Sequence, residues 1–399
     1  SIKYQKLKAM IFVQDFSVIC SLGKNKIEAR KNLKNGASPG LRARTDLLLD
    51  QEEAYFGCCD GNLPEIPEVF SGMKSRNNQL LLSCYLAERE NFQKVLTQYN
   101  PSKVAVILGT STSGSSEADK YIGSCLEGEH PDFQGTQQEL GSPALFLSSY
   151  LHLSGPAFCI STACTSSTRT FISAAKMLNA GIIDAAIVGG VDTLARMPIN
   201  GFNALKALSA QVCRPFANDR SGITIGEGAA LFLLTRETGP LQLLGFGETS
   251  DGNHMTAPRA DGLCAAAAMK EAIERARLKP EDIGYVNLHG TGTQLNDTSE
   301  MIAMRQVFAN KVPCSSTKNL TGHTLGAAGA VEAAILCLLL TEEAPSIPAQ
   351  GEAPSKYQPS DIETGLVIDA TLLSKKPMMT NNFAFGGNNA SLIIGVSHA

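Results

Sequence analysis

Three side chains in this sequence have the types that acyl-transfer chemistry needs: Cys164, His289 and His323. A thiolate is both a nucleophile and a good leaving group, and imidazole N–H groups can steady an oxygen that is gaining negative charge. Cys164 lies in Ser161–Ser167, between two apolar stretches. Pro156–Ile160 before it is short enough for a buried strand. Thr168–Ala180 after it places Phe171, Ile172, Ala175, Met177 and Leu178 at mostly helical spacing. The cysteine therefore falls where a strand turns into a helix. Unpaired backbone N–H groups at a helix N-terminus favour thiolate. A cysteine in such a place is about as often an inert filler of a hole.

The histidines sharpen the choice. The chain has only 6, and His289 and His323 both stand in Gly/Thr-rich turns, His289–Thr293 and Lys318–Gly329. Open α/β sheets place their sites at such strand ends, where glycine lets backbone approach a ligand. A third segment, Asn381–Ala390, sets Phe383 and Phe385 among Asn and Gly-Gly, which is loop rather than core composition. Ser111–Ser116 carries ordinary turn chemistry.

Elements that would position these residues follow from the pattern. Strands are expected at 9–13, 104–108, 185–188, 229–234, 241–248, 285–288, 314–316, 365–369 and 391–396. Helices are expected at 23–33, 76–87, 143–151, 263–277, 298–308 and 325–340. Residues 38–67 read as an irregular surface excursion. A boundary near Glu237–Pro240 gives two halves, 1–238 with the cysteine and 239–399 with both histidines. Each half centres on a strand, a polar turn and a small-residue helix, 163–180 and 326–340. That repetition suggests an α/β/α/β/α sandwich with two central helices.

Composition removes whole classes of function. With 399 residues the chain buries a core without disulfides or structural metal. Hydrophobic residues at 43%, charged ones at 18% and a net charge of -4 describe an ordinary globular protein with no nucleic-acid signature. The 11 cysteines are irregularly spaced, which fits free thiols in a reducing cytoplasm. The polar, Lys-rich stretch 1–10 reads as no signal peptide. The apolar run Leu336–Leu340 is too short to span a bilayer.

Taken together, the Thr162–Ser167, His289–Thr293 and Lys318–Gly329 segments resemble the β-ketoacyl-acyl-carrier-protein synthases of the thiolase superfamily, over essentially the whole chain and in the family's order. The resemblance implies the five-layered thiolase sandwich, normally dimeric, and a decarboxylating Claisen condensation. Cys164 would carry the acyl chain; His289 and His323 would stabilise the enolate, as neutral imidazoles with fixed tautomers. Lys318 would organise the electrostatics near His323, with Glu332, Asp297 and Glu300 as structural partners. Backbone N–H groups of Cys164 and Phe385 would form the oxyanion hole, and Phe385 would gate the site. Thr291, Thr293, Phe383 and Phe385 would meet substrate, brought on the phosphopantetheine of an acyl carrier protein. No tightly bound cofactor and no metal are implied.

Departures are Ala384 and Asn388, where glycine and threonine are commonest, and a charged Arg169. Residues 75–82, 109–114 and 196–203 resemble the ketosynthases of bacterial aryl polyene clusters, in which an active subunit pairs with a chain-length-factor-like paralogue. The dimer is then homo- or heterotypic. Lys74, Arg76 and Lys206 fall where an acidic carrier protein would dock. Three rivals stay open. A coenzyme A thiolase would want a second cysteine in Phe383–Ala390. A non-catalytic partner subunit would not need the triad. A metal site would use Cys164, His289 and His323, which lack compact spacing in sequence.

Overall fold

The computed structural model describes residues 10–59 and 61–397. Ten strands build its main sheet: β1 (Ile11–Ile19), β2 (Val104–Gly109), β3 (Ala157–Ile160), β4 (Ala185–Asp192), β5 (Gly228–Thr235), β6 (Leu241–Ser250), β7 (Tyr285–Asn287), β8 (Cys314–Ser315), β9 (Met378–Phe383) and β10 (Asn388–Val396). Their order across the sheet is β8-β7-β9-β10-β6-β1-β5-β4-β2-β3. The first five strands run β1-β5-β4-β2-β3 and the last five β6-β10-β9-β7-β8, one topology used twice. The halves join where Ile11–Val13 of β1 lie antiparallel to Leu241–Leu243 of β6. In each half the outer pairs are parallel, as β2 with β3 and β4, and β7 with β8 and β9.

Two helices fill the space between the half-sheets. Ser166–Asn179 packs on β2 and β4; Ala328–Leu340 packs on β9 and on the first helix. Every residue of Ala328–Leu340 is buried, so it is apolar all round except for Glu332. Helices Arg76–Ala87 and Ser142–Tyr150 cover the outer face of the first half-sheet, and Leu263–Ala276 and Gln294–Val307 cover the second. The result is the thiolase-type α/β/α/β/α sandwich, which buries both faces of both half-sheets.

Most expected elements stand within a few residues of their places, and the differences have physical causes. Ala9 and the rest of 1–9 lie outside the described residues. Pro156–Ile160 is not a buried strand: β3 is the sheet's edge, with only β2 beside it, and Phe158 is 36% exposed. Residues 38–67 hold a hairpin, Leu41–Arg44 with Ala54–Gly57, whose Phe56 is fully buried. Ser115–Leu126 is a helix although its sequence is polar; it has no fully buried residue and so no apolar stripe to read. Residues 365–369 form no strand; Leu366 makes an isolated bridge to Cys314. β9, between β7 and β10, is not among the expected strands: its Asn381 and Asn382 read as loop residues yet are buried by hydrogen bonding. Among the described residues no helix is long and apolar enough to cross a membrane.

Candidate active site

Cys164 sits between the end of β3 and the start of Ser166–Asn179. Ala163 before it has φ +52°, a left-handed conformation that a non-glycine residue takes only where surrounding structure enforces it. The turn is held by Ser166 Oγ, which donates to Ala163 O (2.5 Å) and accepts from Thr162 N–H (2.9 Å). Cys164 is thereby left at the foot of a cavity of about 370 Å³ that also reaches His289, His323, Thr291, Thr293 and Lys206.

The two histidines arrive from the second half. His289 follows β7, and Glu300 accepts its backbone N–H and that of Gly290, both at 2.7 Å. His323 is bolted to the first half: its N–H donates to Thr224 O (2.6 Å) and its carbonyl accepts from Gly226 N–H (2.9 Å). Its Nε2 lies 3.0 Å from Cys164 Sγ, and the two imidazoles meet edge to face with centroids 5.4 Å apart. Donor atoms of Cys164, His289 and His323 all fall within 4.8 Å of one another. Segments separated in sequence thus assemble a compact set of soft ligands, although sequence spacing gave no hint of one. A metal held there would occupy the thiolate.

Behind His289, Lys318 Nζ donates to His289 O (2.6 Å), lies 3.4 Å from its Nδ1 and pairs with Glu332. An ammonium only donates, so Nδ1 presents its lone pair and the ring proton rests on Nε2. For His323 the buried Nδ1 has no hydrogen-bond partner among the described residues, and its ring proton is tied to which way the Nε2–Sγ contact with Cys164 is donated. Burial holds both imidazoles well below their usual range, with Lys318 adding to it, so both are neutral at pH 7. Glu332 is Lys318's carboxylate partner. Asp297 and Glu300, expected beside it, do other work: Asp297 accepts from the N–H groups of Thr291 (3.0 Å), Gly292 (3.2 Å) and Phe216 (2.8 Å). It shapes the turn that places the Thr291 and Thr293 hydroxyls 3.0 Å apart.

The expectation of a ready thiolate is corrected. Burial pushes the Cys164 thiol up to about 11, against a lowering influence of Lys318 and of the Phe385 and Cys164 backbone N–H groups. Those two N–H groups lie near enough to Sγ to lower it, and so beside the place where the carbonyl oxygen of a thioester attacked by the sulfur would sit. Alkylation of Cys164 by iodoacetamide, followed on its own peptide, is expected to quicken about tenfold per pH unit from pH 7 toward 10. A plateau below pH 8 would show the opposite, a thiolate already formed.

Phe385 is 37% exposed and rests on Phe202 at 5.5 Å between centroids, whereas Phe383 is a buried strand residue 6.2 Å from the His289 ring. Lys206 stands at the cavity, and Lys74 is exposed near Glu65 (3.4 Å). Arg76 is not a free docking charge: it forms a two-pronged pair with Glu227, a 1% exposed carboxylate that needs a cation. Arg169 faces Glu248 at 3.8 Å.

Sequence reading passed over Asp192. Its buried carboxylate accepts from Thr110 Oγ1 (2.7 Å), Ser111 N–H (2.8 Å), Thr112 N–H (2.8 Å) and Gly326 N–H (2.6 Å). It thereby joins the loop after β2 to the turn bearing His323. Its one sequence signal is an acid ending the otherwise apolar run of β4.

A thiolase-type sandwich with a cysteine and two histidines converging from its two halves defines a condensing-enzyme scaffold. Residues 74–239 match the family described as Beta-ketoacyl synthase, N-terminal domain, and residues 242–349 match Beta-ketoacyl synthase, C-terminal domain. The chain belongs to the β-ketoacyl synthase family. It is similar, at 45% identity and TM-score 0.94 over 100% of both chains, to a chain of the complex of the ketosynthase ApeO with its chain length factor ApeC from Xenorhabdus doucetiae. A β-ketoacyl synthase from Burkholderia phymatum aligns at 27% identity and TM-score 0.85, over 98% of this chain and 100% of that one. The 3-oxoacyl-acyl-carrier-protein synthase 2 of Vibrio cholerae is 36% identical over 267 residues. That match covers 60% of this chain and 62% of the relative's length.

Proposed function

We propose that this protein is an elongating ketosynthase that condenses an acyl group on Cys164 with malonyl-acyl-carrier protein, releasing CO₂ and giving 3-oxoacyl-acyl-carrier protein. The observation that carries the reading is the convergence of Cys164, His289 and His323 within 4.8 Å at the foot of a cavity lined by Thr291 and Thr293. The halves divide the labour, 1–238 holding the nucleophile and 239–399 the histidines. In the first step Cys164 sulfur attacks the thioester carbonyl. The C–S bond to pantetheine breaks, and the thiol proton ends on the released pantetheine sulfur. His323 Nε2, 3.0 Å from Sγ, is the carrier in reach to take that proton and return it. In the second step the malonyl C–C bond breaks to CO₂ and an enolate, whose oxygen receives N–H bonds from His289 and His323. The carbanion carbon then attacks the acyl-Cys164 carbonyl and expels the cysteine thiolate.

The substrates come on phosphopantetheine, so no tightly bound cofactor is called for, and the setting is the cytoplasm. The partner subunit is a ketosynthase-fold chain. Likeness to the ApeO–ApeC complex supports a chain-length-factor-like paralogue, with this cysteine-bearing chain as the active member. The aryl polyene resemblance of residues 75–82, 109–114 and 196–203 supports a pigment-type polyenoyl substrate. Intact-mass measurement after mixing the protein with carrier proteins bearing saturated or aryl-polyenoyl chains tests this. A mass gain equal to the acyl group, blocked by prior alkylation, is expected with the polyenoyl chain. Gain with the saturated chain alone would point to housekeeping fatty-acid synthesis. No gain with either chain, with or without a co-purified paralogue, would reject the condensing role.

A further inference from the structure

Asn382 lies in β9, fully buried, one residue before Phe383. Its Nδ2 donates to Glu332 Oε2 at 2.7 Å, and its Oδ1 accepts from Thr168 Oγ1 at 2.6 Å. A carboxylate only accepts, so Glu332 dictates which way the amide faces and leaves Oδ1 for the hydroxyl. Thr168 is four residues past Cys164, in the first turn of the nucleophile helix. The other oxygen of Glu332 pairs with Lys318, whose Nζ donates to His289 O. One chain of bonds therefore runs Thr168–Asn382–Glu332–Lys318–His289, from the cysteine's helix to the first histidine. Gly329 closes against it. A Cβ there would lie 2.0 Å from Thr168 Oγ1 and 2.8 Å from Asn382 Oδ1, so only glycine lets the second central helix approach the bridge.

We propose that Asn382 is a positioning residue that ties the nucleophile helix to the Lys318–Glu332 pair and so keeps His289 aimed during decarboxylation. The inference rests on the condensing reading above. It concerns one half-reaction. Acylation uses Cys164 and the Phe385 N–H, neither of which bonds to Asn382. Decarboxylation uses His289, whose carbonyl and Nδ1 are held by Lys318. Without the amide, Glu332 Oε2 keeps only Thr380 Oγ1 at 3.5 Å, and the carboxylate is free to turn away from Lys318.

The near-isosteric variant Asn382→Asp separates positioning from packing. Glu332 faces Lys318 from the Lys318–Thr321 turn, Thr380 and Asn382 from β9, and the titratable but uncharged neighbours Tyr285 and Cys164. Two carboxyls in contact share a proton until the pH is high enough to remove it. While shared, that proton keeps a donor in the bridge; once lost, the two charges repel. Malonyl-carrier decarboxylation by N382D, relative to wild type at each pH, is expected to fall about tenfold or more between pH 6 and pH 9. Acylation of Cys164, read by mass, is expected to stay within about threefold of wild type. Thr168→Val, which cuts the far end, is expected to lower decarboxylation about fivefold at every pH, one hydrogen bond's worth. It also carries the test if N382D fails to fold. Parallel loss of both half-reactions with unchanged pH dependence would make Asn382 a packing residue only. Full retention of both would remove its role altogether. A wild-type protein that performs neither half-reaction would instead overturn the condensing reading.

Discussion

A Cys164→Ala protein is expected to lose chain elongation by at least about 10⁴-fold while malonyl-carrier decarboxylation stays within about tenfold of wild type. In the proposed reaction Cys164 is the group that bonds the acyl chain, and among the described residues no other thiol lines the cavity. The enolate's oxygen depends on a different set of atoms. His289 is held by Lys318 and Glu300, and His323 by Thr224 and Gly226; none of these contacts passes through Cys164. The mirror variant, His323→Ala, is expected to cost decarboxylation about 10²–10³-fold, the usual loss when one preorganised donor to a developing oxyanion is removed. Conversion of malonyl-carrier to acetyl-carrier, followed by mass, reads the decarboxylation directly. Loss of that conversion in the Cys164→Ala protein would mean that the sulfur takes part in breaking the C–C bond, and the division of roles would fail.

Most of this architecture was legible because the signals were local. Buried parallel strands show as apolar runs, as in Val104–Leu108, and Arg76–Ala87 shows its helix by period, to which the structure adds a Ser75 cap whose side chain accepts from Asn78 N–H. The three reactive residues stood out by type and by their Gly/Thr-rich turns. What stayed hidden depends on partners distant in sequence. Asn381 and Asn382 look like loop residues until Ser391, Thr168 and Glu332 satisfy them inside β9. Arg76 looks like a surface charge until Glu227, 151 residues away, claims it. The state of Cys164 was misjudged for the same reason. A helix N-terminus suggests thiolate, but the degree of burial that outweighs it is a property of the closed sandwich.

Replacing Lys318 by methionine is expected to destabilise the fold by about 3–5 kcal/mol, measured as a lower denaturant midpoint with unchanged slope. Lys318 and Glu332 are 1% and 2% exposed, so removing the cation leaves an uncompensated carboxylate in the middle of an otherwise apolar helix. It also frees the His289 carbonyl and Nδ1, so decarboxylation falls with stability. The double variant Lys318→Met/Glu332→Leu separates the two effects. Removing both charges takes away the desolvation penalty as well as the attraction, and well-packed apolar replacements of buried pairs are often neutral. Stability is therefore expected to return to within about 1–2 kcal/mol of wild type while decarboxylation does not recover. Recovery of both would show that the pair serves only the fold. Recovery of stability alone would show that a charged pair is retained at the centre of this sandwich, at a site where leucine and methionine would pack, because it orients an imidazole.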